Sequence, residues 1–464
     1  MNVSQSVLAE HLAVTRRYFL GFGLSGIAAS PLLLTSANNA EAHDAELGKN
    51  IEPDRTAVPG GIGDCGTGAG QTPVEATGFA GAAEESHPDL IEATRKLEYL
   101  TAPESFGTVE RGTPLPYTHP VEKLREFGLT RDTWKLEVIA DPEAPAKLGQ
   151  PLSRDAGTAL DWNGLMKLAE THAVRFLKIM TCNNGGSPLG MGLWEGVPLR
   201  TILWMTRPDS DLRRVFYYGY HNDDPKQRFQ SSLPVGRVLE DPPGEYPVIV
   251  CYKLNGEHLS GKRGGPVRMI VPEAYGFKSV KWLQRVVLTN APYANDTYAN
   301  GNNDVDSWMK TFARFVSQPG KVKAGQPIAI TGLAQVGISG LKKVQYWMHP
   351  AEQSLPADDP YFAAAPWRDA RILPSPQSWG GGTPDGPLTA PVLGFDPATN
   401  QPLQWPMRYS QAHWAALIPA VGPGKYHLRC RTVDRNDVAQ PMPRPFAKSG
   451  RNSIQQLEVV VTGD

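Results

Sequence analysis

Val174-Arg175-Phe176-Leu177-Lys178-Ile179-Met180-Thr181-Cys182-Asn183-Asn184-Gly185-Gly186, with Trp194-Glu195-Gly196-Val197-Pro198-Leu199 shortly after it, is the stretch around which this chain is organised. Residues 174–180 are rich in apolar and β-branched side chains and read as a buried strand. Cys182 therefore stands where that strand opens into a glycine-containing loop, a good position for a reactive thiolate.

Composition limits what the cysteine can be doing. With 464 residues and 41% hydrophobic content, the chain is long enough for two or three domains with substantial cores. A formal net charge of −1 and the lack of a long basic run give no electrostatic footprint for nucleic acid or for an acidic membrane surface. Gly 46 and Pro 42, together with many short β-like runs, favour strands and loops over helices. Cys65, Cys182, Cys251 and Cys430 show no CxxC or CxxCH spacing, so no iron–sulfur cluster, zinc knuckle or attached haem is expected in this chain. Cys251 and Cys430 lie in strand-like runs, where a buried free thiol is the plainer reading.

Upstream, Thr15-Arg16-Arg17-Tyr18-Phe19-Leu20 precedes a modestly apolar segment, Gly21 to Leu34, and small residues around Ala37 to Ala40. Residues 1–40 thus resemble a twin-arginine export signal, which implies a periplasmic destination. A membrane anchor fits less well, because the apolar run falls short of the ~20 residues that span a bilayer and is broken by Ser30 and Pro31. Twin-arginine export carries folded proteins, often with a cofactor already inserted, so the signal points to a cofactor enzyme. Residues 41–97 are rich in Gly, Ala, Glu and Pro and read as a flexible arm, since no apolar strand precedes their glycines and no GK[ST] follows.

The globular part begins near residue 98. Trp134 to Ile139 alternates as a half-buried strand, and Asp161 is placed to cap a short helix running through Leu168. His221-Asn222-Asp223-Asp224-Pro225 reads as a solvated turn rather than a metal site. Further on, Asn255-Gly256 is a hairpin turn and Pro266 to Val271 a strand. Arg263, Arg268 and Lys281 place cations in a short span of apolar strand and glycine, the composition of a phosphate clamp as well as of a charged surface.

Taken in order, Thr181-Cys182, Trp194-Glu195-Gly196-Val197-Pro198-Leu199, Leu254-Asn255-Gly256, Gly265-Pro266-Val267-Arg268 and Ser279-Val280-Lys281-Trp282-Leu283 resemble the sulfite oxidase family of molybdopterin enzymes over roughly residues 100 to 290. The resemblance implies that Cys182 is the molybdenum ligand, a role that suits a soft, anionic thiolate. It further implies that Arg268, Ser279, Val280 and Lys281 bind the terminal phosphate of the pterin. Arg263 occupies a place where relatives have His or Asn, and His221 one where they have Asp or Thr. Val109-Glu110-Arg111-Gly112-Thr113-Pro114 resembles the family's cofactor-contacting segment, which makes Arg111 a cofactor residue. The family's substrate arginine aligns with Glu110, one residue before Arg111. Its tyrosine near the oxo group matches Tyr298.

The C-terminal third reads as all-β, with strands at Pro327–Gly332, Val344–Met348, Tyr426–Val433 and Leu457–Val461. It resembles the immunoglobulin-like dimerisation domain of the family, which implies a homodimer. The expected architecture is α+β: a mixed α/β molybdopterin domain at 98–292, a connector at 293–320 and an all-β sandwich at 321–464. The expected activity is oxygen-atom transfer to or from a small, sulfur-containing substrate such as sulfite, with electrons exchanged with a separate cytochrome or quinone-linked protein. A sulfoxide reductase and a non-catalytic exported binding or assembly protein that kept the fold are the alternatives.

Overall fold

In the computed structural model, residues 87–220, 229–297, 304–317, 319–389, 391–441 and 450–463 are described. The export signal, the arm up to residue 86, Cys65, His221 and Tyr298 lie outside the described residues. The N-terminal half contributes β1 (Lys135–Ala140), β2 (Leu160–Asp161), β3 (Val174–Thr181), β4 (Pro188–Pro198), β5 (Arg214–Gly219), β6 (Gln230–Pro234), β7 (Ile249–Leu254), β8 (Glu257–His258), β9 (Arg268–Ile270) and β10 (Leu283–Thr289). The C-terminal half contributes β11 (Phe312–Phe315), β12 (Lys321–Lys323), β13 (Ile328–Gln335), β14 (Lys343–Pro350), β15 (Arg368–Ile372), β16 (Gln411–Ile418), β17 (Gly424–Val433) and β18 (Gln455–Thr462).

Two five-stranded sheets build the first half. One runs β2-β1-β10-β5-β6, with β1 and β10 parallel; the other runs β3-β4-β7-β8, with β9 added to β7. Their shared core takes the alternating positions Leu136 and Val138 of β1 and Val286 and Leu288 of β10. Sheet outweighs helix throughout the described residues, which shifts the α+β expectation towards β. The helices that form have local reasons. Asp161 Oδ1 accepts from Gly164 N–H at 2.8 Å and starts the helix Trp162–His172, four residues longer than the sequence suggests. Leu199, Ile202 and Leu203 bury one face of the helix Leu199–Met205.

Strand β3 explains its own composition. Phe176 and Met180 enter a core with Trp194, Ile249 and Ile270, whereas Leu177 and Ile179 enter another with Met191, Trp379 and Tyr409. A strand covered on both faces needs a continuous apolar run rather than an alternating one. The Asn255-Gly256 hairpin forms between β7 and β8 with φ of 51° and 86° at its two residues, which is the left-handed pair that favours Asn-Gly.

The C-terminal strands join in the order β11-β13-β16-β15-β14-β17-β18-β12 as an eight-stranded sheet. It folds over, so that Ile330 and Trp414 from one part share a core with Val344, Leu428 and Val459 from the other. Two boundaries differ from expectation. Residues 88–95, expected in the flexible arm, form the helix Pro88–Arg95, held because Leu90 packs on Leu373 and Ala415 of the C-terminal sheet. The expected connector at 293–320 contains β11, whose Phe312, Ala313 and Phe315 are buried.

Candidate active site

Strand β3 ends at Thr181 and delivers Cys182 to the wall of a cavity with about 840 Å³ of empty space, part of it open to solvent. Arg111, Arg263, Arg268, Ser279, Val280 and Lys281 line the same cavity. Residues separated by as much as 170 positions in sequence are thus brought to one place; 281 − 111 = 170. His221 and Tyr298 fall outside the described residues.

The cationic wall is built by β9 and the turn that follows it. Met269 N–H donates to Val280 O, and Leu283 N–H donates to Val267 O, both at 2.9 Å, so the 279–282 turn is strapped across β9. Arg268 lies inside this strap. Its guanidinium donates to Arg263 O at 3.0 Å and to Ser279 O at 2.6 Å, and it stacks on Trp194 at 5.3 Å. The Ser279 hydroxyl accepts from Val271 N–H at 3.2 Å. Lys281 Nζ donates to Thr108 Oγ1 at 2.6 Å and to Val109 O at 3.2 Å. Arg263 donates to Gly107 O at 2.7 Å and to Phe106 O, with its guanidinium over the Phe106 ring. It therefore holds the 106–107 backbone as well as lining the cavity.

Glycine makes room for this construction. Gly264 has φ +93°, and a Cβ there would lie 2.7 Å from Lys281 Cβ. Trp282 itself has φ +51°, a costly conformation for a bulky residue, and donates from Nε1 to Gly261 O at 2.8 Å.

The electrostatics favour an anion. No carboxylate is among the described residues that line the cavity, while Arg111, Arg263, Arg268 and Lys281 all do. Burial, then the like charges of Arg268 and Arg263, lowers the Lys281 ammonium to about 7. Burial lowers Arg268 to about 10 and also lowers Arg263 and Arg111, with Cys182 acting on Arg111 in the opposite sense. Clustered, desolvated cations are costly unless a bound anion compensates them. Arg268 Nε is moreover buried without a hydrogen-bond partner among the described residues.

Glu110 is not part of this wall; its carboxylate accepts from Tyr117 O–H at 3.3 Å, whereas Arg111 lines the cavity with Cys182 and lies over the Phe229 ring at 4.6 Å. Several lining residues escaped the sequence reading. Thr108 precedes the segment singled out, and Phe106, Leu189 and Phe229 have only tertiary reasons to be there. Asn183 and Asn184, both in the loop after β3, line it as well. Cys251 and Cys430 are buried, and burial pushes the Cys251 thiol up to about 12 and the Cys430 thiol up as well, as inert core cysteines require.

Residues 131–297 match the family described as oxidoreductase molybdopterin binding domain. The chain is 35% identical over 197 residues to the mitochondrial sulfite oxidase of Drosophila melanogaster, covering 42% of this chain and 32% of that protein. It is 32% identical over 111 residues to a nitrate reductase [NADPH] of Beauveria bassiana, covering 24% of this chain and 12% of that protein. Among solved structures, the sulfane dehydrogenase SoxCD of Paracoccus pantotrophus aligns with a TM-score of 0.48 and 17% identity over 72% of this chain and 79% of that chain. The chain spans a third or less of the length of these curated relatives, 32% and 12%. A cofactor with an anionic phosphate tail and a metal that accepts thiolate fits the residues present: the clustered, desolvated cations and the buried Arg268 Nε suit the phosphate, and Cys182 at the cavity wall suits the metal. Residues 131–297 are thus similar to a molybdopterin-binding oxidoreductase domain, the likeness that the chain shares with sulfite oxidase and nitrate reductase.

Proposed function

We propose that this chain is an exported oxidoreductase that transfers an oxygen atom to or from a small, sulfur-containing substrate, sulfite being the first candidate. The observation that carries the reading is the convergence of Cys182 with Arg111, Arg263, Arg268, Ser279 and Lys281 on one cavity lined by no described carboxylate. When bound, the molybdenum–pterin group supplies two-electron oxygen-atom transfer. The chain's own residues hold and orient. Cys182 provides the thiolate to the metal; Arg268, Lys281 and Ser279 hold the phosphate end. Arg111, on the Cys182 side of the cavity, takes the substrate-binding part that the aligned Glu110 does not. Phe106, Leu189, Phe229 and Phe277 give the cavity apolar walls that limit water beside the reacting groups.

The same reading includes twin-arginine export to the periplasm, supported by Arg16-Arg17 and the short apolar segment after them. It includes a C-terminal immunoglobulin-like sandwich that pairs two copies of the chain, and a separate redox protein that exchanges electrons with the metal site. No helix among the described residues is long and apolar enough to cross a membrane.

Metal and pterin analysis of protein purified from its native host tests the enzyme reading against that of a non-catalytic binding protein. Near-stoichiometric molybdenum with pterin is expected; a content near zero sinks the enzyme. Cys182→Ser is expected to lose turnover while keeping its melting temperature; unchanged turnover removes Cys182 as the ligand. A screen with artificial electron acceptors and donors, sulfite and methionine sulfoxide included, then sets substrate and direction.

A further inference from the structure

Among the described residues, strand β3 is an edge strand of its sheet, paired with β4 alone, and such an edge presents unpaired N–H and C=O groups. Around Cys182 the C-terminal half takes up these groups. Ile179 N–H donates to Tyr409 O at 2.7 Å, and Arg451 N–H donates to Asn183 O at 3.0 Å. Between them, Thr181 Oγ1 donates to Gln335 Oε1 at 2.5 Å, and Gln335 Nε2 donates to Lys310 O at 2.7 Å. Thr181 and Gln335 are fully buried. Past the cysteine, Arg314 Nε donates to Gly186 O at 2.7 Å while its Nη1 donates to Ser453 O at 2.7 Å. Gly186 has φ +65°, and a Cβ there would lie 3.3 Å from both the Arg314 guanidinium and Arg451.

These tethers come from residues beyond the 131–297 domain and bracket Cys182 on both sides. Within the loop itself, the only backbone hydrogen bond to Cys182 among the described residues is from Gly185 N–H to Cys182 O, at 3.2 Å. Two side chains supply what the loop lacks. Gln335 pins the strand end immediately before the sulfur, and Arg314 pins the turn that follows it. We propose that Gln335 and Arg314 are positioning residues for Cys182, so that the C-terminal sandwich is a structural part of the metal-ligand loop. The proposal rests on the functional reading only in taking Cys182 as the residue whose position matters.

The test uses full-length, cofactor-free protein carrying Cys65→Ser, in which Cys251 and Cys430 are buried and Cys182 is the partly exposed thiol. Iodoacetamide alkylates the thiolate, forming a sulfur–carbon bond with loss of iodide, and mass spectrometry of the Cys182 peptide gives the rate. Gln335→Leu and Arg314→Met are each expected to raise that rate by about tenfold, as local opening does when a buried hydrogen bond is lost. Arg314→Lys, which keeps one donor for Gly186 O, is expected to stay within about twofold of the parent, because a single charge-assisted bond still closes the turn. Should Gln335→Leu fail to fold, Thr181→Val removes the same hydrogen bond from the other side with little change in volume. Rates for Gln335→Leu (or Thr181→Val) and Arg314→Met that match the parent overturn the proposal. In loaded protein, the Mo(V) electron paramagnetic resonance spectrum is expected to shift in Gln335→Leu, a change that a loss of global stability alone does not produce. The two readings fail separately. Unchanged turnover in Cys182→Ser removes the ligand assignment, whereas unchanged alkylation in Gln335→Leu and Arg314→Met with turnover lost in Cys182→Ser removes only the positioning role.

Discussion

Lys281 shows how one residue's surroundings set its chemistry. Its ammonium is lowered to about 7 in the folded protein, by burial first and then by Arg268 and Arg263, against about 10.4 for an unfolded lysine. Between those values the unfolded chain binds more protons, so in the cofactor-free protein this group contributes stability that rises with pH through that window. An anion in the cavity favours the charged form. Binding of inorganic sulfate, whose own charge is constant over this range, is therefore expected to be strongest at low pH and to weaken as pH rises through about 7. Calorimetric titration of cofactor-free protein at several pH values checks this, with Lys281→Met expected to bind more weakly and to lose the pH dependence; an affinity independent of pH in the parent protein contradicts it. Cys182, Arg268, Ser279, Val280 and Lys281 were legible in the sequence because their motifs are contiguous. The choice between Glu110 and Arg111 was not, since neighbouring residues leave a segment on different sides and only the folded backbone says which side faces the cavity.

At the scale of elements, β9 and the turn after it do two jobs, holding a sheet edge and aiming the cations. The turn depends on Gly264 at φ +93°, packed on Lys281. Gly264→Ala is expected to cost about 1–3 kcal/mol in chemical denaturation, from left-handed strain and the displaced lysine, and to weaken sulfate binding together with stability. A stability loss without any change in sulfate affinity would show that the turn does not set the lysine's position. A buried pair braces the preceding 3₁₀ turn: Lys278 Nζ donates to Asp296 Oδ1 at 2.7 Å, and Ser231 and Ser232 donate to the same carboxylate at 2.5 and 2.6 Å. Asp296→Leu leaves a buried ammonium unpaired and is expected to cost about 3–5 kcal/mol, with partial recovery in Lys278→Met/Asp296→Leu, measured by urea denaturation. The long strands β1, β3, β7, β13, β14, β17 and β18 were readable from their apolar runs. The helix Pro88–Arg95 and the short strand β11 were not, because each is held by packing on the C-terminal sheet rather than by its own pattern.

Across the whole molecule, the boundary between the halves is itself a core. Leu177, Ile179 and Met191 from the first half pack with Trp379, Phe395, Met407 and Tyr409 from the second. Glu245 reaches across to Arg408 Nη1 at 2.6 Å and to Tyr409 O–H at 2.5 Å. The chain is accordingly expected to unfold in a single cooperative transition, and a fragment ending near residue 310 is expected to aggregate, because it exposes its own side of that cluster and the free edge of β3. Calorimetry of the full chain and size-exclusion chromatography of the fragment check this; a monomeric fragment with its own sharp transition would show the halves to be independent.

The sequence by itself determined the strand-to-loop setting of Cys182, the cationic motifs at 265–268 and 279–283, the hairpin and the β-rich C-terminal third, since each is written in contiguous residues with a local physical reason. Only the tertiary structure decided that these motifs share one cavity, that Arg111 rather than Glu110 lines it, and that Gln335 and Arg314 hold the Cys182 loop from the other half of the chain. Those outcomes depend on contacts between residues far apart in sequence, which no local period or turn signal records.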